Sequence, residues 1–148
     1  MTKINLGDYS QCITNGSTAC NENGRKFEIT GTTHEERQNL AKVKVDDCIY
    51  TSSHTITRCD YLFIYNKTFS CFIELKGTDI NHAVIQLESS LQNISVNGKK
   101  YAFVVANRND LPDAKTQKQK WQRMFKTKYE TIFEMKNNTL SKSIDELK

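Results

Sequence analysis

The sequence predicts a single α/β domain in which a central mixed β-sheet is flanked by helices. Two apolar runs, at residues 61–64 and 69–75, are typical of neighbouring strands, and residues 80–94 then show apolar spacing typical of a helix. A third run, at residues 101–106, is continuously apolar, as expected for a strand buried on both faces. This strand–helix–strand order favours a crossover between parallel strands, so the sheet is expected to be mixed.

Length and composition agree with one domain. The chain has 148 residues, of which 37% are hydrophobic, enough to bury a working core. No run approaches the roughly 20 apolar residues of a membrane span, so no membrane partner is expected. We predict a polar N-terminal arm at residues 1–26, a folded domain at residues 27–136 and a C-terminal tail at residues 137–148.

The first strands are expected to form an antiparallel hairpin. Residues 43–50 are predicted to form a strand, and Asn66-Lys67-Thr68 is a short polar connection between the two apolar runs that follow. A three-residue loop pairs Tyr65 with Phe69 and places Asp60 directly opposite Glu74. A two-residue loop would instead turn Glu74 to the other face of the sheet.

Two helices and an edge strand complete the predicted fold. The first helix opens at Gly77-Thr78 and ends at Asn97-Gly98, with Gln86 on the polar face beside its apolar stripe. The second helix is predicted at residues 113–129 and an edge strand at residues 131–135. The apolar stripe of the first helix comprises Ile80, Ala83, Val84, Leu87, Leu91 and Ile94.

Charged residues in buried strands mark the candidate site. Glu74 and Lys76 are separated by one residue and therefore point to the same face of their strand. Asp60 lies at the start of the partner strand. An unpaired carboxylate or ammonium group is costly to bury, so a metal ion or a catalytic site is the usual reason for such a group.

The acid–x–lysine spacing is not specific by itself. It also occurs at residues 113–115, 134–136 and 146–148. The Glu134-Met135-Lys136 triplet is the best control, since a strand-like segment precedes it. It has no apolar hairpin partner carrying an acid, whereas Glu74 has Asp60. This context singles out the triplet that begins at Glu74.

Asp60 followed by Glu74-x-Lys76 and a helix with Gln86 resembles the PD-(D/E)XK nuclease superfamily, the fold of many restriction endonucleases. The resemblance spans residues 43–107, and Cys59 stands where the proline of the motif would be. It implies a restriction-endonuclease-like fold and a metal-dependent nuclease, acting on DNA more than on RNA.

The resemblance also implies roles for individual residues. Asp60 and Glu74 would ligate Mg²⁺ or Mn²⁺, Lys76 would orient or activate the attacking water, and Gln86 would help to order the site. An acidic residue on an early helix often completes such sites, and here Glu36 or its neighbour Glu35 is the candidate. A capping box at the start of that helix is the alternative role of Glu36.

Positive charge is concentrated late in the chain. The net charge of +4 comprises −2 over residues 1–98, +7 over residues 99–128 and −1 over residues 129–148. A basic helix suits a phosphodiester substrate, and we predict phosphate contacts for four of its residues, although a solvated helix face is the alternative. The four are Lys115, Lys118, Arg123 and Lys126.

The five cysteines show no paired C-x-x-C spacing and no secretory signal precedes them, so we expect free thiols and a cytoplasmic, reducing location. Cys59 and Cys71 are expected in the core. A zinc site formed by Cys12, Cys20 and His34 is a weaker alternative.

Cleaving both strands of a duplex would favour a homodimer. The alternative to a nuclease is a non-catalytic nucleic-acid-binding or assembly module that keeps the same fold.

Overall fold

The protein is described by a computed structural model that covers residues 3–51, 58–76, 79–107 and 114–148, with the side chains of residues 76 and 114–116 outside the described part. These segments form a six-stranded mixed sheet, a three-stranded sheet and helices, so the predicted α/β class is confirmed. The strands are β1 (Ile13–Asn15), β2 (Ala19–Glu22), β3 (Arg25–Thr30), β4 (Leu40–Lys44), β5 (Tyr61–Tyr65), β6 (Phe69–Lys76), β7 (Lys99–Ala106), β8 (Thr131–Asn137) and β9 (Thr139–Ser143). The α-helices are α1 (His34–Gln38), α2 (Ile80–Asn93), α3 (Ala114–Tyr129) and α4 (Ile144–Leu147), and a 3₁₀ helix spans Leu6–Cys12.

The six-stranded sheet has the order β1-β4-β5-β6-β7-β8. Its first four strands are antiparallel neighbours, whereas β7 runs parallel to both β6 and β8. Helix α2 connects β6 to β7, so the predicted strand–helix–strand unit with parallel strands is confirmed. The strand predicted at residues 131–135 is β8, which lies at the edge of this sheet.

The ends of these elements differ from the sequence prediction where backbone conformation intervenes. The strand predicted at residues 43–50 is β4, which ends at Lys44, and the chain then turns through Asp47 at a φ of 63°. Helix α2 begins after Asp79, whose carboxylate accepts a hydrogen bond from the His82 N–H at 3.0 Å. The predicted opening of this helix at residues 77–78 lies outside the described residues.

Gly98 brings the start of β7 against the β5–β6 loop. Its φ is 79°, and a Cβ atom at this position would lie only 2.3 Å from the Thr68 carbonyl oxygen. The same carbonyl accepts a hydrogen bond from the Lys99 N–H at 3.0 Å. A side chain is therefore excluded at residue 98 for both conformational and steric reasons.

The segments predicted as arm and tail contain ordered strands. The second sheet has the order β2-β3-β9, and β3 pairs in parallel with β9, so that Phe27 lies opposite Leu140. The C-terminal segment therefore covers one face of the larger sheet, because Leu140, Ile144 and Leu147 are buried with Phe27. Each of these short segments buries only a few apolar residues. Their overall composition is therefore polar and does not predict the strands.

Each face of the six-stranded sheet is covered by a different layer. Helices α2 and α3 pack on one face, where Phe72 and Phe125 belong to the same buried cluster. The second sheet and α4 pack on the other face. There the centroid of the Phe27 ring lies 5.5 Å from that of Phe63 and 5.4 Å from that of Phe103. The larger sheet is thus buried on both faces, as the continuous apolar run of β7 predicts.

The prediction of free thiols is wrong for two of the five cysteines. Cys12 and Cys48 form a disulfide, while Cys20, Cys59 and Cys71 are buried and free. The two partners are 36 positions apart, and only the pairing of β1 with β4 brings their segments together. The disulfide removes Cys12 from the suggested zinc site and is evidence against a reducing location, because disulfides persist mainly in oxidising compartments.

Within the described residues, none of the helices combines the length and apolar character that crossing a bilayer requires.

Candidate functional site

The hairpin of β5 and β6 has the register that the sequence predicts for a three-residue loop. Tyr65 pairs with Phe69 and Tyr61 pairs with Ile73. The paired ladder ends there: the Asp60 N–H donates to the carbonyl of Ile73, the partner of Tyr61, so Asp60 is not in register with Glu74.

Hydrogen bonds hold Asp60 between the two neighbours of Glu74. The Asp60 N–H donates to the Ile73 carbonyl at 3.1 Å, and the Leu75 N–H donates to Asp60 Oδ2 at 2.8 Å. The second bond uses the carboxylate as an acceptor where the strand pairing ends. Both bonds fix the position of the Asp60 carboxylate beside β6.

Glu74 lies deep in the sheet. Its side chain is 1% exposed, and strand alternation directs it to the helical layer, because Ile73 and Leu75 belong to the cluster on the opposite face. Burying a carboxylate this completely is costly unless charge or hydrogen bonds compensate. A buried carboxylate next to a second carboxylate is an arrangement that a cation stabilises.

Helix α2 packs against the segment that leads into β5. Gln86 Nε2 donates to the Arg58 carbonyl at 3.0 Å, and the Cys59 N–H donates to Ser90 Oγ at 2.8 Å. Gln86 is therefore not merely solvated: it fixes the backbone two residues before Asp60. Ser90, a buried serine of α2, has a similar positioning role that the sequence does not single out.

Besides burial, the Glu74 and Asp60 carboxylates raise the pKa of the Cys59 thiol. Burial raises the pKa of Cys59 well above its ordinary value, the Ser90 hydrogen bond lowers it, and the negative charges of Glu74 and Asp60 raise it further. Cys59 therefore remains a neutral thiol at physiological pH. It is a buried core residue, as predicted.

Lys76 ends β6 in register with Ala106 of β7, and its backbone thus lies at the carboxyl edge of the parallel strands. Its side chain lies outside the described part of the chain. The backbone places Lys76 two positions after Glu74 on the same strand.

Glu36 lies far from this pair. It forms the capping box that was its alternative role, with Thr33, and accepts a bond from Lys148 Nζ at 2.5 Å. Lys148 also lies over the Tyr65 ring, at the end of β5 opposite to Asp60. The five residues of β5 correspond to about 17 Å, which is too far for a shared ion. Glu35 belongs to the same short helix and is exposed.

The donor set at the site consists of the Asp60 and Glu74 carboxylates. Within the described ranges, no group of three or more His, Cys, Asp or Glu side chains is arranged to hold a metal ion. Two carboxylates nevertheless suit Mg²⁺, which commonly binds one or two protein carboxylates and keeps water or substrate phosphate in its other positions. The residues present fit that ion.

An acidic cleft adjoins Asp60. It is lined by Asp60, Tyr61, Glu22 and Lys44 together with the turn at residues 46–47. Arg58 Nε forms an ion pair with Asp46 Oδ1 at 2.8 Å. This arginine therefore has a carboxylate partner within the protein. The cleft lies at the end of the sheet where β5 begins.

The basic residues of α3 are spread along the helix and are not all near the site. The helix starts near the carboxyl edge, where β7 ends, and finishes near Thr131, which pairs with Lys100 at the opposite end. Lys118 and Lys126 are eight residues apart, about 12 Å along the axis. Lys118 is half-buried, and Arg123 and Lys126 are exposed. The side chain of Lys115 lies outside the described part.

Comparison of the chain with protein-family models, with curated proteins and with solved structures found no match. The geometry of the chain therefore carries its functional interpretation.

Proposed function

We propose that this protein is a metal-dependent nuclease that hydrolyses phosphodiester bonds, in DNA more than in RNA. The observation that supports the proposal is that two carboxylates lie near Cys59 at the end of β6: the buried Glu74, and Asp60, whose Oδ2 accepts a hydrogen bond from the Leu75 N–H. A purely structural hairpin gains nothing from two neighbouring carboxylates, because like charges disfavour each other unless a cation lies between them or one is protonated.

Each residue then has a defined role. Asp60 and Glu74 would hold Mg²⁺ or Mn²⁺, which when bound lowers the pKa of a water molecule and polarises a phosphoryl oxygen. Lys76 would orient the attacking water and offset the charge that develops on the phosphate. Gln86 acts through the backbone: its hydrogen bond to the Arg58 carbonyl holds the segment that positions Asp60.

The restriction-endonuclease-like fold is part of the same proposal. It is supported by an antiparallel run of β4, β5 and β6, followed by α2 and the parallel strand β7. The acid–x–lysine triplet ends the third strand of this run. The short helix α1 precedes the run, but its Glu36 is engaged elsewhere and is not included in the site.

The basic helix would bind the substrate backbone. Lys115 and Lys118 lie in the half of α3 near the carboxyl edge, whereas Arg123 and Lys126 lie towards its far end. We therefore expect Lys118 to contribute more to binding than Lys126. Each lost phosphate contact should flatten the dependence of log K on log salt by roughly 0.7–0.9. A homodimer would allow both strands of a duplex to be cut.

The test is incubation of the purified protein with single- and double-stranded DNA and RNA in Mg²⁺, Mn²⁺ or EDTA. We expect cleavage of at least one form with a divalent ion, and none in EDTA. Calorimetry should show Mg²⁺ binding that is lost in Asp60→Asn, a variant that keeps an acceptor oxygen for the Leu75 N–H. Asp145→Asn, at an exposed carboxylate of α4, is the matched control and should bind Mg²⁺ as the wild type does.

The outcome separates the nuclease from the alternative of a non-catalytic module. Nucleic-acid binding without cleavage, with no Mg²⁺ binding and no effect of Asp60→Asn, would contradict the nuclease and favour a binding or assembly module.

A further inference from the structure

The turn between β2 and β3 lies across the carboxyl edge of the larger sheet. Glu22 and Arg25 are paired at the ends of these strands, and the two turn residues both have positive φ, 51° at Asn23 and 81° at Gly24. This conformation is that of a tight two-residue hairpin turn whose twist matches its strands. The turn therefore holds Glu22 and Arg25 in defined positions.

The two residues reach different strands on either side of β6. Glu22 lines the cleft that contains Asp60, at the start of β5. Arg25 Nη1 donates to Asn107 Oδ1 at 2.6 Å, and Asn107 follows Ala106, the register partner of Lys76. Since β6 lies between β5 and β7, the turn spans the end of the strand that carries Glu74 and Lys76.

Arg25 is a buried cation whose only described partner is a neutral amide. Its side chain is 7% exposed, and no carboxylate among the described residues forms an ion pair with it. Asn107 accepts from one of the five N–H groups of the guanidinium, and Nε is buried without a hydrogen-bond partner in the described part. Removing a charge from water without a counter-ion is costly, so an external anion would stabilise this arrangement.

Hydrogen-bonding capacity is also unfilled beside Arg25. The next residue, Lys26, donates its N–H to the Asn138 carbonyl at 2.9 Å, which brings β3 alongside the end of β8. There Asn137 Oδ1 is buried without a described hydrogen-bond partner. Asn137 Oδ1 is an acceptor and would not bind an anion, so the positively charged, incompletely bonded group at this corner is Arg25, held by Asn107.

We propose that Arg25, held by Asn107, binds a phosphate group of the nucleic-acid strand next to the bond that is cut. The assignment of the phosphate to a nucleic acid rests on the proposed function, whereas the need of Arg25 for an anion does not. A guanidinium suits this task because its planar N–H donors match phosphate oxygens. The cation also offsets the repulsion that Glu22 and Asp60 would exert on a phosphate backbone.

The decisive variant is Asn107→Asp. It keeps the acceptor oxygen for Arg25 but supplies an internal counter-ion, so the fold should be retained or stabilised while the phosphate is excluded. Binding of a labelled DNA duplex in EDTA should weaken by roughly tenfold or more, the effect expected for losing a charge-assisted hydrogen bond. Arg25→Gln should weaken it similarly. Lys26→Gln, which removes one charge from the adjacent ion-paired residue, should have a much smaller effect.

A second measurement uses inorganic phosphate as the probe. The wild-type protein in EDTA should gain thermal stability in phosphate relative to chloride at equal ionic strength, and Asn107→Asp should lose that gain. A folded Asn107→Asp protein with wild-type DNA affinity and an unchanged response to phosphate would overturn the proposal. Wild-type cleavage by that variant, with unchanged KM, would overturn it while leaving the nuclease intact. Loss of the phosphate response in a protein that cuts no nucleic acid would support the anion site and refute the nuclease.

Discussion

Strands β6 and β8 carry the same acid–x–lysine spacing but place it in different surroundings. In β6, Glu74 is 1% exposed, and Asp60 hydrogen-bonds to the residues on both sides of it. In β8, Glu134 is half-buried on an edge strand and forms an ion pair with Lys142. Neutralisation by a neighbouring lysine explains the acid in β8, whereas the acid in β6 has a second acid near it, hydrogen-bonded to the backbone of the next residue.

The difference lies in the partner strand and not in the triplet. An inner strand with an antiparallel hairpin partner can have a residue from the preceding part of the chain close to the acid, as Asp60 is here. An edge strand with one parallel neighbour has no such partner: Glu134 lies opposite Phe103. The local motif therefore acquires chemical meaning only through its neighbours.

The largest expected effect separates the two lysines. Lys76→Met should lower cleavage by roughly 100- to 1,000-fold, because the lysine is proposed to stabilise charge in the transition state. Lys136→Met, in the β8 triplet, should leave cleavage near the wild-type rate. Single-turnover rates at saturating substrate would measure both. Equal rates for the two variants would end the distinction between the triplets.

A smaller effect concerns the dependence of stability on Mg²⁺. Glu74→Gln should lose the gain in Tm that Mg²⁺ gives the wild type, because it removes one of the two proposed ligands. Glu134→Gln should lower Tm slightly, because it removes an ion pair on the surface. Added Mg²⁺ should raise the Tm of the wild type and of Glu134→Gln but not that of Glu74→Gln. Thermal unfolding with and without Mg²⁺ gives all of these comparisons.

If Glu74→Gln still responded to Mg²⁺, Glu74 would be a structural residue like Glu134. The contrast between the two strands would then be one of burial alone.

The smallest effect concerns Glu36, the acid that the structure separates from the site. The Lys148 hydrogen bond, followed by that of the Thr33 backbone, lowers the pKa of Glu36 from its ordinary value of 4.5. A carboxyl group with a lowered pKa stabilises the fold above its unfolded pKa, and that contribution is lost as the pH falls through the folded value. Lys148→Met should therefore lower Tm by no more than about a few degrees at pH 6, with the difference from wild type vanishing in strong acid.

Thermal unfolding from pH 6 to pH 3 measures that difference. Lys67→Met, at an exposed lysine of the β5–β6 loop, is a suitable control and should show no such pH-dependent gap. A Lys148→Met defect that grew as the pH fell would show that the pair does not act in this way.

The β5–β6 hairpin and helix α2 could be predicted from the sequence because local signals determine them, whereas the end of the hairpin ladder before Asp60 could not. The three-residue loop sets the β5–β6 register, and the apolar spacing from Ile80 to Leu91 specifies the buried face of α2. The Arg25 corner could not be predicted in the same way, since it requires three segments distant in sequence. A signal for its hairpin does exist: Asn23-Gly24 precedes alternating polar and apolar residues.

The disulfide and the second sheet escaped prediction for a related physical reason. Cys12 and Cys48 meet only because β1 pairs with β4, and no spacing rule encodes that meeting. Strands β2 and β9 are four and five residues long and expose much of their surface, so their hydrophobic pattern is weak. Such strands depend on tertiary partners for their stability.

The parallel pairing of β3 with β9 has a consequence for the order of events during synthesis. Phe27 is made roughly a hundred residues before its register partner Leu140, an interval of about 5–20 s at ordinary translation rates. During that interval the phenylalanines on one face of the larger sheet lack their cover from Leu140, Ile144 and Leu147. We therefore expect the nascent chain to leave this aromatic face uncovered until β9 has been made.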